Sequence, residues 1–494
     1  MMKLRPPSPL RLAFRSPLGI RPSSPSFSST AIRRSQERQW STPLAKKLFE
    51  AISTTGPVPL ASYMRMCLTG DLGGYYTGAI GKDRDQFGSK GDFVTSPEIS
   101  QVFGELVGVW FIAEWMSQGR PTKGVQLIEV GPGRGTLMDD ILRTMQRFPS
   151  MMASVESVYM VEAGKELQSA QRNLLCGADA ATTQSESGTQ SISKYGKTPI
   201  VWADSMKPIP TDPDKMPFIV AHEFFDALPI HTFQSAAVPT TPDGAKDARA
   251  TTSAAAREKT EWRELLVGVT SPGTTHADLG TPKSQRDQAA PEFQLVLSST
   301  TTRHSRLLPE ISPRYRALKP VENSVVEVCP EAFTFAADFA TRIGGSAQHP
   351  KPKPSGAALV LDYGTSDTVP INSLRGIRQH KIVSPFSAPG LVDVSADVDF
   401  TAIADAATLA SEGVEVHGPV QQGDFLEVMG IRQRAEALAK APGAGKEMAE
   451  RIDKSWKRLV DRGPSGMGKL YKVLAILPEN DGKRRPVGFG GDVI

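Results

Sequence analysis

The sequence predicts an α/β fold built on a mostly parallel sheet, and three observations predict it. Residues 127–137, LIEVGPGRGTL, pass from an apolar run through a glycine cluster into an amphipathic run, the pattern of strand, tight turn and helix. Two further apolar runs, SVYMVE at 157–162 and PIVWAD at 199–204, each close on an acid, Glu162 and Asp204. A helical stretch at 165–175 separates them, and strands that alternate with helices pair in parallel. Such sheets bind ligands at the carboxyl ends of their strands.

Length and charge bound the rest. A chain of 494 residues can bury a large core and hold more than one domain. The formal net charge is +4, but residues 1–40 carry seven Arg and one Lys against Glu37, or +7, which leaves −3 for the remainder. A mildly acidic body argues against a nucleic-acid partner. The first 40 residues are basic, Ser-rich and acid-poor, as a mitochondrial transit peptide requires, and they lack the apolar core of a secretory signal. No segment reaches the ~18 uninterrupted apolar residues of a membrane span, so no stable insertion is expected. Cys67, Cys176 and Cys329 are odd in number and far apart, which gives no disulfide framework and no paired-cysteine metal pattern.

From Pro43 the chain becomes periodic. Leu44, Leu48 and Ile52 mark a first helix, and a Gly56-Pro57 break precedes a second through Tyr63 and Met66. After GGYY at 73–76 and a polar loop comes GDFVTSPEIS at 91–100. Ser96 can cap a helix with Pro97 at its first position, or Thr95 with Glu98 can form a capping box. Ile99, Val102, Phe103, Leu106, Val107, Trp110 and Phe111 then form a broad apolar stripe on one helix, and the loop before it is placed to cover a ligand.

The glycine turn has a spacing that selects its ligand. Gly131, Gly133 and Gly135 let the backbone take positive φ and approach a ligand closely, and the helix that follows offers free N–H groups. A dinucleotide fingerprint wants its third glycine at position 136, where Thr136 stands. S-adenosylmethionine suits the site better. Glu129 can face its cationic amino-acid tail, Glu162 can accept both ribose hydroxyls, and Asp204 can accept from the adenine amino group. The helix after the turn is expected to carry Leu137, Ile141, Met145 and Phe148 on one face.

A fourth strand, FIVAHEFFDALPIHTF at 218–233, brings His222, Glu223 and Asp226 to the same end of the sheet. Phe224 and Phe225 between them make the surroundings partly dry, so a charge there needs a partner. A guanidinium acceptor would supply one. Glu223 and Asp226 are the expected clamp, with His222 a candidate proton relay.

Taken together, GDFVTSPEIS, VGPGRG, AHEFFDALPI, ALVLDYG at 358–364, LVDVSADVDF at 391–400, QGDFL at 422–426 and MGKLYKVL at 467–474 resemble the MidA family. These are the mitochondrial complex I assembly-factor arginine methyltransferases, and the resemblance spans most of residues 44–476. It implies a class I, Rossmann-like, seven-stranded methyltransferase fold with S-adenosylmethionine as donor. It also implies symmetric dimethylation of an arginine on a core complex I subunit in the matrix. By position, Glu129, Gly131, Gly133, Glu162 and Asp204 fall on the cofactor side and Glu223 on the substrate side. His222 stands where some members carry Asn, which leaves its role open. A methyltransferase with another acceptor, or an assembly factor that binds the cofactor without turnover, are the alternatives.

The expected organisation is a targeting segment at 1–40, a helical covering region at 41–120 and a first part of the core at 121–235. A low-complexity insertion in a hairpin follows at 236–292, with EWRELLVGV at 261–269 facing FQLVLSS from Phe293. The core resumes at 293–370, where Asp362 and Tyr363 end a strand. A mixed region with helices at 432–440 and 445–461 occupies 371–480, and residues 481–494, including KRRP, read as a solvated tail.

Overall fold

Among the described residues, seven strands of a ten-stranded sheet make the centre, and six of them arise from apolar runs flanked by turn residues, Val414–Gln421 being mixed. The structure is a computed structural model that describes residues 38–78, 91–238 and 260–490. The targeting segment therefore lies outside the described residues up to position 37. The strands are β1 (Val125–Val130), β2 (Val155–Val161), β3 (Pro199–Ala203), β4 (Met216–His222), β5 (Ala357–Thr365), β6 (Val414–Gln421) and β7 (Tyr471–Pro478). They lie in the order β3-β2-β1-β4-β5-β7-β6. The first four pairings are parallel, and β7 runs antiparallel to both β5 and β6. Short antiparallel strands at Gly188–Ile192 and Thr183–Ser185 extend the β3 edge.

Period-two alternation sets the two faces of this sheet. Val125 and Leu127 of β1 pack into one core, with helix α1 (Gln101–Ser117) and helix α2 (Thr136–Met145). Ile128 and Val130 point the other way, into a core shared with α4 (Pro330–Gly344) and α5 (Phe400–Ala410). Helix α3 (Lys165–Cys176) crosses between β2 and β3. Among the described residues, no helix is long and apolar enough to cross a membrane.

The helix expected from the capping signal is there, with a correction. Thr95 and Glu98 form the capping box, so Ser96 is the first helical residue rather than the cap. The helix also breaks at Ser100, whose backbone is extended, and restarts as α1. Serine is a weak helix former and a good starter, and it does both here. Phe148 falls beyond the end of α2 and packs on the core from outside that helix.

A second sheet carries Val58–Pro59, Thr260–Val269, His231–Ala237 and Val325–Val328 as successive paired neighbours, and Phe293–Leu297 also pairs with Thr260–Val269. The expected hairpin of Thr260–Val269 with Phe293–Leu297 is thus one part of a five-stranded sheet. Most of the first low-complexity run, 239–259, lies outside the described residues. The helices Pro43–Thr55 and Leu60–Thr69 cover this sheet through Leu48, Tyr63 and Met64, which meet Ile230, Val267 and Phe293.

The reading of residues 481–494 as a solvated tail is overturned for the part described. Arg484 forms a bidentate pair with Glu114 of α1, a carboxylate with no exposed surface. Trp110 Nε1 donates to the Val487 carbonyl at 3.1 Å, and Phe489 is buried against Phe425 and Trp110. A charge pattern read without its partner looks solvated, and the partner lies 370 residues away.

Candidate active site

The carboxyl ends of β1 to β4 are in register, and that alignment builds the site. Val130 pairs with Val161 and Ala221, and Val161 pairs with Ala203. Gly131, Glu162, Asp204 and His222 therefore stand side by side, each on the first line beyond those pairs. Main-chain bonds hold the line: Gly131 N–H donates to the Val161 carbonyl at 3.1 Å, and Glu162 N–H to the Ala203 carbonyl at 2.9 Å. A cleft of about 260 Å³ opens over it.

Glu129, Gly131, Gly133, Glu162, Asp204, His222 and Glu223 all line this cleft. Gly135 and Asp226 do not. Gly131 and Gly133 have φ of +67° and +51°, so both need glycine, and a Cβ at Gly131 would come within 2.6 Å of the Phe224 ring. Gly135, at φ +82°, caps α2 from below the cleft.

The three acids of the first three strands differ in exposure and therefore in charge. Burial pushes the Glu129 carboxyl well above the ordinary range, and its Oε2 has no hydrogen-bond partner. Burial also raises Glu162, to about 7, against hydrogen bonds from Gly164 N–H at 2.7 Å and Gln171 Nε2 at 3.3 Å. Asp204 has 66% of its side chain exposed and pairs with Lys165 at 2.7 Å, which lowers its pKa. An orphaned buried oxygen beside a glycine turn, with acids in step on the next two strands, fits a nucleoside with a cationic tail.

Gln171 is a residue the sequence reading missed. It is fully buried on α3, donates to the Gly133 carbonyl at 2.6 Å, and accepts from Trp202 Nε1 at 3.0 Å. It ties the glycine turn to Glu162 and β3. A fully buried amide on the inner face of a helix is the one signal that could have marked it.

Glu223 follows β4 in left-handed backbone, φ +48°, a conformation that costs about 1–3 kcal/mol for a residue with a side chain. Its N–H still donates to the Leu361 carbonyl at 2.9 Å, so the strand pairing carries through the distortion. The side chain accepts weakly from Ser96 N–H at 3.4 Å, and no cationic side chain pairs with it among the described residues. Burial, then the nearby Asp226 charge, raises its pKa well above the carboxylate range. His222 Nε2 lies 3.4 Å from Glu223 Oε1 without hydrogen-bond geometry. Burial pushes that imidazole down to about 3, so it is neutral.

Behind Glu223 a second shell of chain is pinned by Asp362. Its Oδ2 accepts from the N–H groups of Phe224, Phe225 and Asp226, at 3.1, 2.9 and 3.3 Å. Asp226 accepts from the Tyr363 hydroxyl and faces the cluster of Asp362, Asp393 and Arg375 rather than the cleft. The expected two-carboxylate clamp is thus one carboxylate in the cleft and one buried behind it. Asp362 and Tyr363 hold the loop, a structural use of that strand end.

Two ties close the cleft from the side of the helical covering region. Arg134 of the glycine turn pairs with Glu98 at 3.4 Å, and Arg65 pairs with Glu331 of α4; all four residues line the cleft. Phe93, Thr95 and Pro97 complete that wall, so the loop before the capped helix covers the site.

Strand order, the glycine turn and the row of acids define a nucleoside-binding α/β protein. Residues 106–420 match the family described as "Putative S-adenosyl-L-methionine-dependent methyltransferase". The chain belongs to this family, and its donor is S-adenosylmethionine. Among curated proteins it is 33% identical to the rat protein arginine methyltransferase NDUFAF7, mitochondrial, over 91% of this chain and 87% of that one. The human protein of the same name is 33% identical over 88% and 84%, and the Drosophila melanogaster homologue 34% over 88% and 85%. Among solved structures, a candidate methyl transferase from Burkholderia thailandensis bound to S-adenosyl-homocysteine superposes with a TM-score of 0.61. It is 21% identical and covers 91% of this chain and 93% of that one, which supports the fold.

Proposed function

We propose that this chain is a mitochondrial protein arginine N-methyltransferase with a class I, seven-stranded core, acting in the matrix on an arginine of a core complex I subunit and yielding the symmetric dimethyl product. The names of relatives that align with 91% and 88% of the chain support the acceptor and the organelle. The order β3-β2-β1-β4-β5-β7-β6 with β7 antiparallel supports the class I reading. The symmetric product, the matrix and the complex I subunit rest on the MidA resemblance.

One observation carries the reading. Glu223 is a carboxylate with only 10% of its side chain exposed that lacks a cationic partner among the described residues, in the same cleft as the glycine turn. Such a group is costly unless a cation docks on it. Arginine, with a pKa of about 13, is a cation at every physiological pH.

Bound S-adenosylmethionine supplies an electrophilic methyl group. Glu129 would face its cationic amino-acid end, Glu162 would accept from the ribose hydroxyls and Asp204 from the adenine amino group. Glu223 orients the guanidinium so that one nitrogen lies in line for transfer, then takes its proton late, a role its raised proton affinity suits. His222, beside it, is too weak a base to take that proton in turn, because burial pushes its imidazole down to about 3, so the expected relay is not supported and the side chain stays neutral. Asp226 and Asp362 hold the Glu223 loop in place.

The test is methyl transfer itself. Purified protein is incubated with labelled S-adenosylmethionine and matrix extract depleted of the endogenous copy, and the labelled band is hydrolysed. Symmetric dimethylarginine in a complex I subunit is the expected result; label in RNA, or in no macromolecule, overturns the proposal.

A further inference from the structure

The second sheet holds a side-chain group that the methyl-transfer chemistry does not use. His231 opens the strand His231–Ala237, and Glu264 lies on the neighbouring strand, opposite Phe233. Alternation puts His231, Phe233 and Glu264 on one face of the sheet. His304 comes in above them from the short helix Arg303–Leu307.

The three side chains converge. Glu264 Oε1 lies 2.9 Å from His231 Nδ1 and 3.3 Å from His304 Nδ1, and the two imidazole centroids are 4.4 Å apart. One donor atom from each residue falls within 4.8 Å of the other two. A tetrahedral ion with ligands at about 2.0–2.1 Å sets its donors roughly 3.3 Å apart, so this spacing closes on a metal with small side-chain shifts.

We propose that His231, Glu264 and His304 form a binding site for a divalent transition-metal ion, zinc by the chemistry of the ligand set. Two imidazoles and one carboxylate are borderline donors that zinc accepts in tetrahedral geometry, with water in the fourth position. The supporting contacts are those a built site needs. Glu264 Oε2 accepts from the Thr302 hydroxyl, the Glu264 N–H donates to Ser298 Oγ at 3.0 Å, and Thr302 also caps the helix that carries His304. Glu264 and His231 are buried, whereas 42% of the His304 side chain is exposed, which gives the ion an entry path. The ligands lie more than 30 residues apart in sequence, so no spacing motif advertises them.

The site would brace the acceptor side of the cleft. Pro229 lines the cleft two residues before His231, so an ion that clips the start of this strand to residues 302–304 stiffens the end of the loop that carries Glu223.

The full-length protein, stripped of metal with a chelator and desalted, is titrated with zinc chloride in a calorimeter at neutral pH. One saturable equivalent is expected, with a rise in thermal midpoint. His304→Ala, at a half-exposed position that does not threaten the core, should weaken binding by more than the roughly 10–100-fold that loss of a supporting hydrogen bond costs. Cys176→Ser and His349→Ala, elsewhere on the molecule, should keep the equivalent. No saturable equivalent, an equivalent unchanged in His304→Ala, or one lost in Cys176→Ser each overturns the proposal.

Discussion

The two ends of the cleft solve opposite electrostatic problems. At the donor end, Glu129, Glu162 and Asp204 form a gradient from fully buried to two-thirds exposed, one acid to a strand, each within two residues of its strand's end. At the acceptor end, Glu223, Asp226, Asp362 and Asp393 are packed together from three separate segments, with Arg375 and Tyr363 among them. The first arrangement grades polarity along a ligand that changes character from one end to the other. On the proposed reading, the second gathers carboxyls around the place where a single cation would be held, with Asp362 pinning the loop. Donor binding should therefore tolerate the loss of one outer acid, whereas transfer should not tolerate loss of the acceptor carboxylate.

The largest effect should come from the acceptor end. Glu223→Gln keeps the shape of the side chain and removes its charge, and transfer of labelled methyl should fall by about 10²–10³-fold, the scale for losing one preorganised electrostatic group. S-adenosylmethionine affinity by calorimetry should stay within a few-fold. A variant that transfers normally would dissolve the distinction between the two ends. Next comes the turn: Gly131→Val forces a branched side chain into φ +67° and against Phe224. At about 1–3 kcal/mol of strain, donor affinity should drop by on the order of 10–100-fold. Unaltered binding would move the donor away from this turn.

Acidity gives a third probe. Glu162 and Asp393, one from each end, both have carboxyls raised to about 7 by burial. Each holds a proton in the folded state that the unfolded chain gives up near pH 4, so its stabilising contribution is full below about pH 4 and is lost as pH rises through about 7. Denaturant unfolding of the unliganded protein from about pH 5 to about pH 8 should show stability falling, with a shallower slope in Glu162→Gln. Equal slopes in the two proteins would place Glu162 in a wetter setting than described. The smallest effect belongs to Asp204→Asn. An exposed carboxylate already paired with Lys165 contributes no more than about 0.5–1.5 kcal/mol, so donor affinity should change by no more than about 10-fold. A loss of 100-fold or more would erase the gradient.

The contrast also explains what the sequence made legible. The donor end was readable because each of its groups sits at a predictable offset from an apolar run, and register does the rest. Glu223 was readable for the same reason. Asp226 reads as a cleft residue from its nearness in sequence, yet a short helical turn at Phe225–Ala227 turns it away from the cleft toward Tyr363. Gln171, Asp393 and Arg375 act across long separations through tertiary packing, which periodicity does not encode. The five-stranded second sheet was legible only as a hairpin, because the run at 218–233 reads as one strand whereas His231–Ala237 joins the second sheet, and Val325–Val328 and Val58–Pro59 are only four and two residues long.

The pairing of Arg484 with Glu114 has a consequence for the order of assembly. Helix α1 is apolar almost all round and places that carboxylate where no water reaches. For a chain threaded into a compartment from its N-terminus, α1 arrives early and its counterion nearly last. Until residues 484–489 follow, the helix holds that carboxylate without its guanidinium partner. The sheet can form first, but its outer wall is finished only when the final stretch of chain is delivered.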